Sequence, residues 1–593
     1  MAQVTIQIAQ TVAHDFFGIT SEALKLPGDV DENFKLTTAD GDHFLLKFSS
    51  AEKNSESSFQ TAILNYLETQ QLTFLLPKVL SSKTQTTEIK FSSGEIHRTA
   101  KLLSWVPGRL WATINPKTTT LRYDLGLKAG QLTQALHSFN HHDAHRVFDW
   151  NLANFAWTLD HLHLFSGDKK TYVAYFQQQF AAMKLVYDSL PKSIVHNDLN
   201  DYNILVSEDL KKPTTNGFID FGDAVYTQTI NDLAILVAYA IMEMPDPLAA
   251  ALDVVRGYNT SYPLSEKELE CLYTLVGMRL VTTVTKAALR KKEDPSNDYH
   301  FISEKPAWEV LKKWHNLNAA FAYYSFRQSC NYIAHPSEEK FHNWAVQHTF
   351  RLTDLFPSEE KEDIHLLDLK VSSTWMGSRH EFNDLSLFEY RINQLQKEHP
   401  KKLIAGGYCE PRPLYTSNAY DKEGNSGPES RTIHLGIDFW LPAATPVHTL
   451  FDAEVFTATN DAGYKEYGGL IILKHCEEDI TFFTLHGHLS EASAKQWNVG
   501  DTLKKGDCIG YLGTPEENGI WSPHLHFQVM LSMLDYKLDF PGVTYFDQVN
   551  VWKSICPNPN LLFKNDHLNT QYNSAFKEVS QRAFGSAYRK LRQ

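Results

Sequence analysis

The strongest constraint on this chain is an H-x-D-x-x-x-x-N string, His196, Asp198 and Asn203, followed by Gly217-Phe-Ile-Asp-Phe-Gly-Asp223. Apolar residues flank both pieces, so the pattern reads strand, polar loop, short strand, polar loop. That layout sets fixed oxygen donors at the end of a small sheet, as phosphoryl transfer requires. One carboxylate orients the acceptor hydroxyl, and two more oxygen donors hold Mg²⁺ against the nucleotide phosphates. Asp198 is the expected base. Asn203 and Asp220 are the expected Mg²⁺ ligands, both hard oxygen donors. His196 is expected to brace the loop, with Asp223 a lesser candidate for the metal or the acceptor.

Upstream, Asn33-Phe-Lys-Leu-Thr-Thr alternates as a strand, Asp40-Gly-Asp turns, and His43-Phe-Leu-Leu-Lys-Phe48 returns. Lys47 sits mid-strand, placed to neutralise α/β-phosphate charge. A helix over about 55–69 follows, where Gln60 is the best-placed polar partner for Lys47, with Glu56 one turn earlier. Gln60 can hydrogen-bond a lysine but not neutralise it. Thr99 to Gly108 reads as an apolar strand ending in Pro-Gly, a hinge whose backbone could receive a nucleotide base. Helices dominate from about 120 to 355. Asp232 opens an apolar helix, either as its cap or as a tie to the Asp198 loop. The aromatic stripe Trp308, Trp314, Phe321, Tyr323, Tyr324 and Phe326 reads as core.

These residues resemble the aminoglycoside phosphotransferase family, over roughly 15–350. The carriers are Val195-His-Asn-Asp-Leu-Asn-Asp-Tyr-Asn-Ile-Leu205 and Phe218-Ile-Asp-Phe-Gly-Asp223. Asn33-Phe, Leu46-Lys and Phe59-Gln-Thr-Ala are most similar to the hydroxylysine kinase branch. The resemblance implies a bilobal protein-kinase-like fold and ATP- or GTP-dependent phosphorylation of a hydroxyl on a small amino-bearing metabolite. The acidic Asp201 and Asp223 suit a cationic acceptor. No A-P-E-like segment follows Asp220, which speaks against a eukaryotic-type protein kinase.

At 593 residues the chain exceeds one core, so two to four domains are expected. A net charge of −14 speaks against a nucleic-acid-binding role for the whole chain. No apolar run reaches the ~18 residues of a membrane span, and the start lacks the features of a signal peptide. Six cysteines lie scattered without C-x-x-C spacing, as in a reduced, cytoplasmic protein.

After Pro400 helical periodicity gives way to β-branched residues and Gly. Thr432-Ile-His-Leu-Gly-Ile-Asp-Phe439 carries His434 and Asp438 as H-x-x-x-D. Ser522-Pro-His-Leu-His-Phe527 carries His524 and His526, which share one face if the segment is a strand. Thr484-Leu-His-Gly-His-Leu-Ser490 adds His486 and His488. A catalytic Zn²⁺ wants three N/O ligands and an open position, a set His434, Asp438 and His526 supply. His488 and His524 are then the catalytic candidates, free to polarise water and the developing oxyanion. This pattern resembles the M23 (lysostaphin-like) metallopeptidases over about 406–529, including Val499-Gly-Asp-Thr-Leu-Lys-Lys-Gly-Asp507. The resemblance implies the same zinc ligands and catalytic histidines. Members typically cut peptidoglycan cross-links, which conflicts with a cytoplasmic chain that also carries a kinase.

The expected organisation is multidomain α+β. A kinase-like domain spans 1–355, with lobes dividing near 103/104. A connector spans 356–402, an all-β M23-like domain 403–563, and a polar tail 564–593. The expected function is a bifunctional enzyme using ATP or GTP, Mg²⁺ and Zn²⁺, with small-molecule and peptide-like substrates. The competing readings are an active kinase with a non-catalytic zinc- or ligand-binding β domain, an antibiotic phosphotransferase, and a scaffold with two inactive sites. Similar domain pairs precede a class III pyridoxal-phosphate-dependent aminotransferase domain in some bacterial proteins. Any such step is expected here from a separate partner enzyme.

Overall fold

The computed structural model describes residues 3–28, 31–50, 54–94, 96–293, 303–461 and 463–568. It divides into two compact units, Met1–Cys330 and Asn331–Gln593.

The first unit begins with an antiparallel sheet in which Ser21–Leu26, Glu32–Thr38, His43–Ser50 and Ile96–Ser104 are successive neighbours. Phe34 pairs with Leu46 in the expected hairpin register. Alternation sends Phe34, Leu36, Leu46 and Phe48 into one core with Ala9 and Val12 of helix Ile6–Val12. Lys47, between two core residues, is thereby turned to the opposite face. In the chain, helix Asn54–Glu68 follows the third strand. Ile96–Ser104 ends just before Val106-Pro-Gly108, where the hinge was expected.

Beyond it the chain is helical. Ile230–Ala240 is buried at every residue, as the apolar run Leu233–Ala240 requires. Helix Glu266–Glu293 is buried through most of its length. Of the aromatic stripe, Trp314 and Phe326 are fully buried core residues.

The second unit is built on an eight-stranded sheet. Its order is Ile364–Leu367, Leu403–Gly406, Ile437–Trp440, His524–Met530, Ile480–Leu489, Gly468–Glu477, Ala453–Asp461 and Thr502–Leu503. Apolar alternation along these strands supplies Ile437, Phe439, Leu525, Phe527 and Val529 to the core.

The division at Cys330/Asn331 falls earlier than the expected 355. Phe341, Trp344 and Ala345 on helix Glu338–Gln347 belong to the second unit's core. Periodicity shows that a helix has an apolar face, not which core that face enters. The segment 356–402 is likewise part of this unit. Ile364–Leu367 pairs in parallel with Leu403–Gly406, and helix Leu385–Glu398 buries Leu385, Phe388 and Ile392 against Trp440 and Trp521. Residues 569–593 of the expected tail lie outside the described residues.

Candidate active sites

In the first unit, Lys192–Val195 pairs with Val225–Gln228, and Ile204–Val206 with Thr215–Phe218. The His196–Asn203 loop leaves one pair and enters the other, and buried Ile194, Val195 and Ile204 fix its ends. Asp232 ties the loop down. Its carboxylate accepts the backbone N–H of His196 at 3.1 Å and of Asn197 at 2.7 Å, while Thr229 is the N-cap of that helix. His196 donates from Nε2 to the Ile219 carbonyl at 3.1 Å and accepts the Asp198 N–H on Nδ1 at 3.3 Å. Burial pushes its imidazole down to about 4, so it stays a neutral brace.

Both oxygens of Asp198 are held. Oδ1 accepts from Arg279 Nη2 at 2.8 Å, and Oδ2 from the side-chain amides of Asn200 at 3.0 Å and Asn203 at 2.9 Å. With its nitrogen committed to Asp198, Asn203 offers its carbonyl oxygen to a cation. Burial pushes the Asp198 carboxyl up, against the pull of Arg279. Asp220 has a left-handed backbone, φ 61°, and receives Lys47 Nζ at 3.3 Å. The lysine charge holds the Asp220 carboxyl below its usual range. Burial pushes Asp223 up, with Asp220 adding to it.

The second partner of Lys47 is Asp31, at 3.0 Å. Gln60 lies instead beside the Asp220 loop, its amide nitrogen 3.7 Å from where a Cβ on Gly222 would stand. Glu56 faces Arg146 at 3.8 Å. Two functional contacts were absent from the sequence reading, Asp31 and Arg279. Arg279 is 1% exposed, its guanidinium packed over the rings of Trp150 at 4.6 Å and Tyr239 at 5.3 Å. A lone arginine inside the apolar run Leu272–Val284 was the available signal, since a buried charge needs a partner.

In the second unit, Ile437–Trp440 pairs with His524–Met530 so that Asp438 stands opposite His526. His434 enters from the neighbouring strand Ile433–His434. The facing atoms are close: His434 Nε2 to His526 Nδ1 is 2.9 Å, and Asp438 Oδ1 lies 3.3 Å from the first and 3.1 Å from the second. These three residues form a group whose ligand atoms could share one metal ion. Each outer atom is fixed. His434 Nδ1 donates to the Gly407 carbonyl at 3.1 Å, and His526 Nε2 to Gln528 Oε1 at 3.0 Å, which turns a lone pair of each ring inward. Burial pushes His434 down to about 4, keeping it neutral. A buried cluster of three converging lone-pair donors fits Zn²⁺.

The other Asp438 oxygen accepts from Arg412, whose Nε donates to Glu410 at 2.9 Å, and Glu410 accepts the Leu369 N–H at 2.8 Å. Neither Arg412 nor Glu410 was identified from sequence. Gly436 leaves room for His526, because a Cβ there would lie 2.7 Å from its Nε2.

His524 donates from Nδ1 to the Ser522 carbonyl at 2.7 Å, and His488 from Nδ1 to the Asn518 carbonyl at 3.1 Å. Their rings stand 4.1 Å apart, each with an unprotonated Nε2. His486 is elsewhere. It pairs across the strands with Phe527, on the face opposite His524 and His526. The register shifts between Gly469 and Ile471, and His488 takes φ 65°, so strand alternation fails between the two histidines.

Residues 22–269 match the family model described as the phosphotransferase enzyme family, and residues 432–536 match peptidase family M23. Hydroxylysine kinase of Danio rerio is 28% identical over 329 residues, covering 51% of this chain and 89% of that protein. Lysostaphin of Staphylococcus staphylolyticus is 29% identical over 145 residues, 24% of this chain and 28% of that protein. A solved microcompartment-associated aminopropanol kinase aligns at 15% identity and a TM-score of 0.41, covering 55% of this chain and 99% of that one.

Proposed function

We propose that this chain, joining a phosphotransferase-family domain to an M23-family domain, is a bifunctional enzyme. The first unit phosphorylates a hydroxyl on a small amino-bearing metabolite with ATP or GTP. The second hydrolyses a peptide-like bond with zinc. The observation that carries the kinase reading is the convergence of Asp198, Asn203, Asp220 and Lys47 around one loop pair.

Asp198 is the base that orients the acceptor hydroxyl, and burial favours its protonation once it takes that proton. Asn203 and Asp220 would hold Mg²⁺, which when bound neutralises phosphate charge. Lys47, released from Asp220 or Asp31, binds the phosphates, and Gln60 borders the nucleotide side of that loop. In the second unit His434, Asp438 and His526 would hold Zn²⁺, which when bound lowers the pKa of water and polarises a carbonyl. His488 and His524 each present an unprotonated Nε2; the one that takes the proton of water then donates a hydrogen bond to the oxyanion and returns the proton to the leaving nitrogen. Cytoplasmic location is part of this reading.

The test is turnover of Mg·ATP by purified protein against amino alcohols, hydroxy amino acids and aminoglycosides, with zinc content and peptide hydrolysis assayed in parallel. Turnover on one amino-bearing class, lost in Asp198→Ala, is the expected result. No turnover on any acceptor would overturn the kinase half. Zinc bound without hydrolysis would overturn the hydrolase half and leave a binding module.

A further inference from the structure

The metal cluster of the second unit lies in a cavity of about 370 Å³. That is near the small end of the ~300–1,000 Å³ found for small-molecule pockets. The five candidate residues are almost fully covered, from 1% exposure at His434 to 6% at His488. An enzyme that cuts within a polymer must receive an extended strand across its site. Here a helix contributes Phe388 to an apolar wall. Phe388 of helix Leu385–Glu398, together with Leu369, Leu414, Trp440 and Trp521, lines the cavity and packs as one apolar cluster.

A buried lysine ties that wall together. Lys465 Nζ donates to the Leu414 carbonyl at 2.7 Å, to Asn383 Oδ1 at 3.2 Å and to Thr416 Oγ1 at 3.2 Å, and Thr416 also donates to Asn383 at 2.8 Å. Two segments distant in sequence, at Asn383 and at Leu414–Thr416, meet on one ammonium. All three acceptors are neutral, and burial pulls the lysine pKa down to about 8. Asp461, Glu466 and Asp539 line the same cavity. Both signs of charge therefore face one small space beside the metal cluster.

We infer that this cavity takes a short, free, zwitterionic peptide rather than a polymer strand. The small cavity and its apolar wall limit the length of the peptide, the field of Lys465 favours its carboxylate, and the acidic residues favour its ammonium. The inference rests on the hydrolase reading given above. Hydrolysis breaks the C–N bond, adds the hydroxyl of water to the carbonyl carbon, and delivers a proton to the leaving nitrogen. Both products are then free amino acids or shorter peptides, the class of small amino-bearing molecule proposed for the kinase.

The experiment uses the zinc-loaded full chain with three probes: free dipeptides, the same dipeptides blocked as N-acetyl amides, and a decaglycine strand. Hydrolysis is read by mass spectrometry. Binding is read by calorimetry on His524→Ala, which retains the three metal ligands. Free dipeptides are expected to be cut at least tenfold faster than decaglycine and to bind at least tenfold tighter than blocked ones. Lys465→Met is expected to narrow that gap with zinc content unchanged, and the blocked probes on the unaltered protein decide the matter should that variant not fold. Decaglycine cut as fast as dipeptides overturns the inference and leaves the hydrolase reading standing. If nothing is cut, the hydrolase reading falls. Calorimetry then still supports a short-peptide site if only free dipeptides bind, and overturns it if none do.

Discussion

The two sites handle charge in opposite ways. In the first unit each key carboxylate already has a cation, Arg279 on Asp198 and Lys47 on Asp220. On the proposed kinase reading, nucleotide and metal would enter by exchanging the Lys47–Asp220 pair. In the second, two imidazoles and one carboxylate aim lone pairs at one point, and Arg412 sits on the far oxygen of Asp438. One site is a set of ion pairs to be rearranged. The other is a rigid arrangement built for one added cation.

The largest test of that contrast is Asp198→Ala. Phosphoryl transfer should fall by roughly 10³-fold, within the usual range for an acid–base group, while zinc stoichiometry stays unchanged. Loss of zinc in this variant would break the comparison.

Acidification should separate the two units next. His475 and His486, neither a proposed ligand, are pushed by burial to about 4 and about 3. Because those folded values lie below 6.5, the stability they confer is present above 6.5 and is lost as pH falls toward 4. That amounts to roughly 3 kcal/mol for each. In the first unit burial raises Asp201 and Asp232 to about 6. Folded values above 3.8 reverse the sign, so their contribution is restored as pH falls from 6. Asp198 and Asp223, also raised by burial, act in the same direction, while His196, at about 4, and the lowered Asp220 oppose them. Hydrogen exchange on metal-free protein between pH 7 and 4.5 should show the second unit losing protection first.

Arg412→Met comes third. It leaves Glu410 and one Asp438 oxygen buried without their cation. Zinc affinity should fall about 10–100-fold by competition with a chelator, as when other outer partners of metal ligands are removed. An unchanged affinity would mean the sheet alone positions Asp438. Arg279→Lys should have the smallest effect. It keeps the charge but loses the planar fork between Trp150 and Tyr239, so kcat should fall about tenfold with little change in the KM for ATP.

What could be read from sequence followed locality. His196 to Asp223 is one short stretch whose spacing carries the loop geometry, and H-x-H on a strand fixes a shared face without reference to anything distant. The edge of the second unit could not be read, because the apolar face of Glu338–Gln347 fits either neighbouring core. The missed groups, Asp31, Arg279, Glu410 and Arg412, are single charges that act on partners supplied by the fold, with no spacing to announce them. Gln60 was placed on Lys47 by analogy of position; Asp31, from a loop, took that role. His486 and His488 are offered together by one segment, but the left-handed backbone at His488 turns them to different faces.

Gly436 bears on how such a chain could lose its chemistry over time. The imidazole of His526 occupies the space that a methyl group at 436 would fill. A change to alanine would displace a ligand while leaving all four histidines and the aspartate spelled out in the gene. Related chains could therefore carry an intact donor signature over a silent domain, and the residue to inspect first would be one that never touches the metal.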